Sequence, residues 1–340
     1  MKRILFATLV LSVFDFPPSV AQGPNDSGTY YSAADGYSGS NLKTAMYNVI
    51  NPHTELSYSD LWSCYYESDV RDDGYVWDMY SDATNFVLGD DQASGESITY
   101  EGQVYNREHT MPKSWFGSAT PMYTDLTHIV PTDGYVNAKR ANYPFGETDS
   151  PTYSSANAFS LLGPSSIDGY SGTVFEPNDE YKGDFARIYF YMVTCYEGVV
   201  SGWSCDMFDG TTYPAFTDWA TEMLLRWSEE DPVSLKETNR NEVVYAKQGN
   251  RNPYVDYPGL EQYIWGDLQE EVFSYDDYST TGISDIRLSA EDTPSASGTV
   301  YTITGKAVCT LGEDDSQLSS LSSRLPKGVY IVNGRKVVVR

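Results

Sequence analysis

The sequence predicts an α+β protein, a mainly helical, loop-rich body followed by a small all-β unit. Three observations carry this. Apolar residues in the body recur at helical spacing over long segments, strand signals there are fewer and shorter, and the final stretch switches to β-rich runs. A chain of 340 residues with 40% apolar composition can bury a large core, and its length suits one large domain plus something smaller.

The elements follow in chain order. Lys2 and Arg3 precede an apolar run from Ile4 to Phe14, and small residues stand at Ser19 and Ala21. That pattern predicts a secretory signal peptide over residues 1–21, cleaved before Gln22. The run is shorter than the roughly 20 residues of a bilayer span, so no membrane span is expected, and the protein is expected outside the cytoplasm. The body is assigned to residues 27–276. Ser40 can cap a helix with Leu42, Met46 and Val49 on one side. Phe185, Ile188, Tyr189, Met192 and Val193 form a helical stripe within 182–197. A second stripe holds Phe216, Trp219, Ala220, Met223, Leu224 and Trp227, with Pro232 just beyond it. Ser234 with Glu237 spells a capping box, and Gly249 is a C-terminal stop. Residues 277–298 turn polar and read as a linker. A small β unit then fills 299–340, with a start near 283 as the alternative, and Asn333-Gly334 between two apolar runs signals a two-residue hairpin.

The four cysteines, Cys64, Cys195, Cys205 and Cys309, are too few for a disulfide scaffold and lack paired CxxC zinc spacing. Cys195 and Cys205 either pair in an oxidising compartment or stand as small buried hydrophobes. No HExxH occurs, which excludes a zincin-type protease, and no nucleophile elbow is recognisable.

Chemistry concentrates between Tyr105 and Gly146. Glu108 and His109 are adjacent on a β-like arm, so their side chains point to opposite sides. Thr132 or Asp133 can cap a helix that carries Asn137 and Arg140. Glu108 and the Asn137 amide oxygen are hard ligands suited to Mg²⁺ or Ca²⁺. An ion there would leave positions for phosphate oxygens and stabilise charge on a leaving oxygen. His109 has the side chain whose ordinary pKa suits a base at neutral pH. Arg140, one turn after Asn137, is placed to contact the same phosphate.

"NREHTMPKSWF" and "DLTHIVPTDGYVNAKRANYPFG" resemble the signature segments of the endonuclease I family, secreted nucleases with a ββα-metal (His-Me finger) site. "HTELSYSDLW", "FEPNDEYKGDFARIYFYMVTCYE" and "RNEVVYAKQGNRNPYVDYPGLEQYIWGD" resemble family segments too, so the likeness runs in order from His53 to Asp267. The resemblance implies His109 as general base, Glu108 and Asn137 as metal ligands and Arg140 as a phosphate contact. It implies Mg²⁺ as cofactor, with Ca²⁺ or Mn²⁺ as alternatives, and DNA, RNA or both as substrate, cut without sequence preference. Thr127 departs from the family's usual His-His pair, which removes any helper role for that imidazole. His128 and His53 read as structural hydrogen-bonding residues. "LPKGVYIVNGRKVVVR" resembles the sorting domains of type IX secretion, which implies a secretion-machinery partner and a secreted or cell-surface location. A monomer is expected.

The net charge of -26 opposes nucleic-acid binding at face value. From Glu101 to Phe145 the chain is neutral, however: Glu101, Glu108, Asp125 and Asp133 offset Arg107, Lys113, Lys139 and Arg140. Lys182, Arg187, Arg240, Lys247 and Arg251 are further basic residues that folding could gather into the same groove. Two other readings stand beside the nuclease. One is a surface adhesin or glycan-binding protein, suggested by the aromatic residues and acidity. The other is an inactive nuclease-like scaffold, suggested by Thr127.

Overall fold

The computed structural model describes residues 24–276 and, beyond them, the backbone of strands Gly298–Thr302, Ala307–Leu311, Gly328–Val332 and Arg335–Val339. The expected signal peptide, the linker as far as 297, and Asn333-Gly334 lie outside the described residues. The body is a mixed α+β domain, mostly helical with small sheets. Among the described residues no helix is long and apolar enough to cross a membrane.

Helix α1 (Gly39–Ile50) buries Leu42 and Met46. It begins two residues earlier than expected, with Ser38 rather than Ser40 at the N-cap and no side-chain capping bond. Helix α2 (Asp60–Ser68) follows. Strand β1 (Tyr105–His109) pairs antiparallel with β2 (Ile129–Asp133), Glu108 opposite Val130 and His109 opposite Ile129. Helix α3 (Gly134–Arg140) starts directly off β2. Asp133, not Thr132, is its cap: Oδ1 accepts from the N–H groups of Tyr135 and Val136, and Oδ2 from Gly102. The start of α3 lies so close to the strand that a Cβ on Gly134 would meet Ile98 Cδ1 at 2.6 Å and the Val104 carbonyl at 3.2 Å.

A second sheet, which the sequence did not mark out, orders β3 (Tyr153–Ser154), β4 (Leu161–Pro164) and β5 (Thr173–Glu176) antiparallel. Helix α4 (Lys182–Cys195) is buried at every position, where the apolar stripe predicted burial of one side. It packs against α1 and α6 (Asp218–Glu230) as the central helix of the domain. An all-round buried helix is ordinarily apolar throughout; here Lys182, Asp184 and Arg187 are accommodated because each is ion-paired. Short helix α5 (Glu197–Val200) follows. Helix α6 buries Trp219, Ala220, Met223, Leu224 and Trp227, the stripe read from sequence. Helix α7 (Leu235–Gln248) has the expected capping box, Ser234 with Glu237, and Gly249 closes it at φ 82°. That left-handed value favours glycine. Helices α8 (Pro253–Asp256) and α9 (Leu260–Ile264) complete the body.

The chain divides into two compact units, the second beginning at Ser279. In it strands β6 to β9, in the order of their ranges above, form one antiparallel sheet ordered β7-β6-β8-β9. Val332 stands opposite Arg335 across β8 and β9. Cys195 and Cys205 do not pair: Cys195 is a free, fully buried thiol and Cys205 a free, half-buried one.

One buried acid shapes the approach to the hairpin. Asp78 accepts bonds from the N–H groups of Tyr80 and Ser81 and from the Thr84 hydroxyl, and burial raises its carboxyl to about 7. The unfolded carboxyl titrates near 3.9. Between those values the folded chain keeps a proton that the unfolded chain gives up, so this group's contribution to stability falls as pH rises through the window. Asp78→Asn cannot ionise. Its stability relative to wild type, read from melting curves, is expected to climb from pH 4 to pH 7 by about 1–4 kcal/mol and then level off. A difference that stays flat across that range would contradict the assignment.

Candidate active site

Glu108, His109, Asn137 and Arg140 meet where β1 and α3 face each other, and all four line one cleft of about 300 Å³. Tyr58, Trp62, Asn106, Arg107, Lys113 and Asn142 share its walls. Strand alternation separates the two central side chains as the sequence predicts. Glu108 bonds to Tyr80 and Arg140, whereas His109 packs on Tyr58, Phe116, Tyr123 and His128.

Glu108 is buried, and burial pushes its carboxyl above the ordinary range against the opposing pull of Arg140, Tyr80 and Asn137. The Tyr80 hydroxyl donates to Oε1 at 2.9 Å and Arg140 Nη1 donates to the same oxygen at 2.6 Å. The Asn137 amide nitrogen donates to Asn106 Oδ1 at 2.8 Å. The amide is thereby turned with its nitrogen engaged, and an amide oxygen is left as a free hard acceptor.

His109 Nε2 lies 3.1 Å from the Tyr123 carbonyl. A carbonyl only accepts, so Nε2 carries the hydrogen and Nδ1 keeps its lone pair. Burial, with the positive charges of Lys113 and Arg107 adding to it, lowers the imidazole to about 3. His109 is therefore neutral at physiological pH. The loop that supplies the Tyr123 carbonyl is itself fixed. His128 Nε2 meets the Met122 carbonyl at 2.7 Å, and Asp125 accepts from the hydroxyls of Tyr191 and Tyr196, from Gln248 and from the Thr127 N–H. His128 is thus the structural hydrogen-bonding residue expected of it. So is His53, whose Nδ1 meets the Asn51 carbonyl at 2.7 Å. Thr127 is buried behind this loop and does not line the cleft.

Arg140 differs from its expected role. It is fully buried, and its five N–H donors are matched by five acceptors: Nε by the Tyr143 carbonyl, Nη1 by Glu108 and the His109 carbonyl, Nη2 by the Thr110 carbonyl and the Tyr189 hydroxyl. No donor remains for a phosphate. The basic residues expected to gather from the later segments do not gather either. Lys182 pairs with Asp179 and Glu176, Arg187 with Glu237, Arg240 with Asp69, Lys247 with Glu67, and Arg251 with Asp256. None lines the cleft. A guanidinium taken out of water needs a carboxylate, and packing supplied one to each of the buried cations.

Sequence reasoning missed Tyr80, Asn106 and the Tyr123 carbonyl. Tyr80 sits 28 residues before Glu108, with no motif around it. Asn106, by contrast, was legible in principle, because it stands two residues before Glu108 and on the helix-facing side of the strand.

Among the described residues no group of three or more His, Cys, Asp or Glu side chains converges as a metal-ligand set. The donor pair at hand is one carboxylate and one amide. Two hard oxygens beside open cleft volume fit a magnesium-type ion that keeps most of its water, and fit poorly a zinc ion, which wants nitrogen or sulfur.

The family model described as Endonuclease I matches residues 38–259. The chain is similar to an extracellular ribonuclease of Bacillus amyloliquefaciens, 35% identical over 246 residues, which is 71% of this chain and 79% of that protein. An extracellular ribonuclease of Bacillus subtilis (strain 168) is similar to the same extent, 35% over 246 residues with the same shares. An endonuclease-1 of Buchnera aphidicola subsp. Baizongia pistaciae (strain Bp) is 26% identical over 166 residues, 44% of this chain and 60% of that protein.

Proposed function

The chain belongs to the endonuclease I family and is a nuclease, and from that premise we propose that it is a secreted, metal-dependent endonuclease hydrolysing phosphodiester bonds of DNA, RNA or both without sequence preference. The observation that carries the reading is the geometry of His109: a neutral imidazole with its hydrogen fixed on Nε2 and its lone pair on the other nitrogen, in a cleft shared with Glu108 and Asn137.

The residues divide the work as follows. His109 takes the proton of the attacking water at Nδ1 while the water oxygen bonds to phosphorus and the bond to the leaving oxygen breaks. The Tyr123 carbonyl holds the ring in this tautomer and stabilises the imidazolium that forms. Substrate phosphate brings negative charge against His109, which offsets the burial that disfavours its charged form. Glu108 and the Asn137 amide oxygen would hold a single Mg²⁺-type ion, with Mn²⁺ or Ca²⁺ as alternatives. When bound, the ion supplies electrostatic stabilisation of the developing charge on phosphate and leaving oxygen. Tyr80 and Arg140 bond to Oε1 of Glu108 and leave its orientation little freedom. Arg140 is thus a positioning residue, not a phosphate contact. Thr127 lies off the cleft, which argues against the inactive-scaffold reading.

Location follows from the same premise together with the relatives. The two Bacillus relatives are extracellular, and residues 1–21 read as an export signal, so we place this protein outside the cell. Residues 299–340 act in this reading as a secretion-sorting unit reached through the polar linker.

Digestion of plasmid DNA and of bulk RNA by the mature protein tests the proposal. Degradation is expected with Mg²⁺ and its loss with EDTA, restored by excess metal. Degradation that EDTA leaves untouched would overturn the metal reading, and a single class of nucleic acid degraded would overturn the broad substrate range.

A further inference from the structure

The chain is strongly acidic, and within residues 24–276 folding pairs most cations with a carboxylate. Within residues 24–276 every lysine and arginine has a carboxylate oxygen within 2.9 Å except Arg107, Lys113 and Lys139. Arg107 and Lys113 line the cleft. Lys139 lies on α3, where its ammonium stands 4.8 Å from the centre of the Tyr135 ring. A polyanion approaching a body of this charge is repelled at long range, so the local hold must come from cations that no carboxylate cancels.

Arg107 is the one of the three that is built in. It sits two residues before His109 on β1, on the same side of the strand, and its charge acts on His109. Its guanidinium carbon lies 3.5 Å from the centre of the Tyr58 ring and 4.2 Å from that of Trp62. Nη1 donates to the Tyr58 carbonyl at 2.5 Å, while Nε is buried with no hydrogen-bond partner. The aromatic rings and that carbonyl fix the plane of the fork without neutralising it, and Nη2, at its outer end, has no protein acceptor. From this juxtaposition of an uncancelled, ring-packed guanidinium with the catalytic imidazole, we propose that Arg107 is the cleft's forked phosphate contact, gripping a phosphodiester of the substrate strand beside His109, with Lys113 as a weaker point charge on the same strand. It rests on the nuclease reading above, and it gives Arg107 the role that the sequence had offered to Arg140.

The test uses the mature chain in two measurements. Hydrolysis of one RNA and one single-stranded DNA is followed for wild type, Arg107→Gln and Arg107→Lys. Binding of a fluorescein-labelled single strand is followed across a NaCl series in His109→Ala, with and without Arg107→Gln. Arg107→Gln is expected to lower kcat/KM by about ten- to a hundredfold, the range for a hydrogen bond to a charged group. It should also reduce the steepness of log K against log salt by about 0.7, one phosphate contact on a single strand. A lost structural arginine would not change that slope. Arg107→Lys keeps the charge, so it should keep the slope, yet it lacks the fork and should still lose about tenfold in kcat/KM. If the glutamine variant fails to fold, the lysine variant decides: kcat/KM equal to wild type overturns the forked contact. A folded Arg107→Gln with unchanged kcat/KM and unchanged slope overturns the proposal outright. Wild type that cuts nothing with Mg²⁺, Mn²⁺ or Ca²⁺ removes the nuclease reading instead, which is a separate result.

Discussion

His109→Ala is expected to lower kcat/KM on plasmid DNA and on RNA by about 10²–10⁴-fold, the usual contribution of a positioned general base. The side chain is held in one tautomer by the Tyr123 carbonyl and walled by Tyr58, Phe116 and Tyr123. Its removal leaves Glu108, Asn137 and Arg107 in place, so metal and nucleic acid should bind about as before. The loss should therefore fall in kcat, with KM little changed. Added imidazole can enter the space left by the ring, and partial recovery of the rate is expected with it. Initial rates at saturating Mg²⁺, together with a melting curve, separate this outcome from unfolding. A stable His109→Ala protein that still cuts at the wild-type rate would sink the assignment of the base.

Arg140→Met is expected to cost stability, about 3–5 kcal/mol, because it strands Glu108 as a buried carboxylate without its cation and takes a donor from three backbone carbonyls, of which that of Thr110 keeps the Tyr189 hydroxyl. In a body of this size, that corresponds to a fall of roughly 6–20 °C in melting temperature. The methionine keeps an unbranched chain of similar length but loses the guanidinium that stands over Phe145 and Trp115. Because Glu108 is then the unpaired partner, Mg²⁺ should raise the melting temperature of the variant by more than it raises that of wild type. The same melts without metal give the control. If Arg140 instead served mainly to touch substrate phosphate, the variant would melt near wild type and lose activity alone.

The motif region was legible because its information is local. Glu108 and His109 are neighbours, strand alternation separates their side chains, and Asn137 and Arg140 share a helix face one turn apart. The capping box at Ser234 and the stop at Gly249 were legible for the same reason, since caps are settled by residues three or four apart. The interior of α4 was not, because an apolar stripe reports one buried side and cannot report that charged positions will also be covered. The three-stranded sheet from Tyr153 to Glu176 escaped for a related reason: its strands are two to four residues long, too short for a period to show.

The sequence by itself supplied the candidate site, an adjacent Glu108-His109 pair and Asn137 at fixed spacing, on a strand followed by a helix. Only the tertiary structure decided which cations are free to act. Arg140 and Arg107 look equivalent in the sequence, each a basic residue beside the motif. Folding encloses the first with a carboxylate and four other acceptors. It presents the second to the cleft on two aromatic rings, with no ion-pair partner among the described residues. The reason is desolvation: a charge buried by packing must be cancelled within the protein, and which charges are buried depends on contacts between residues far apart in the chain.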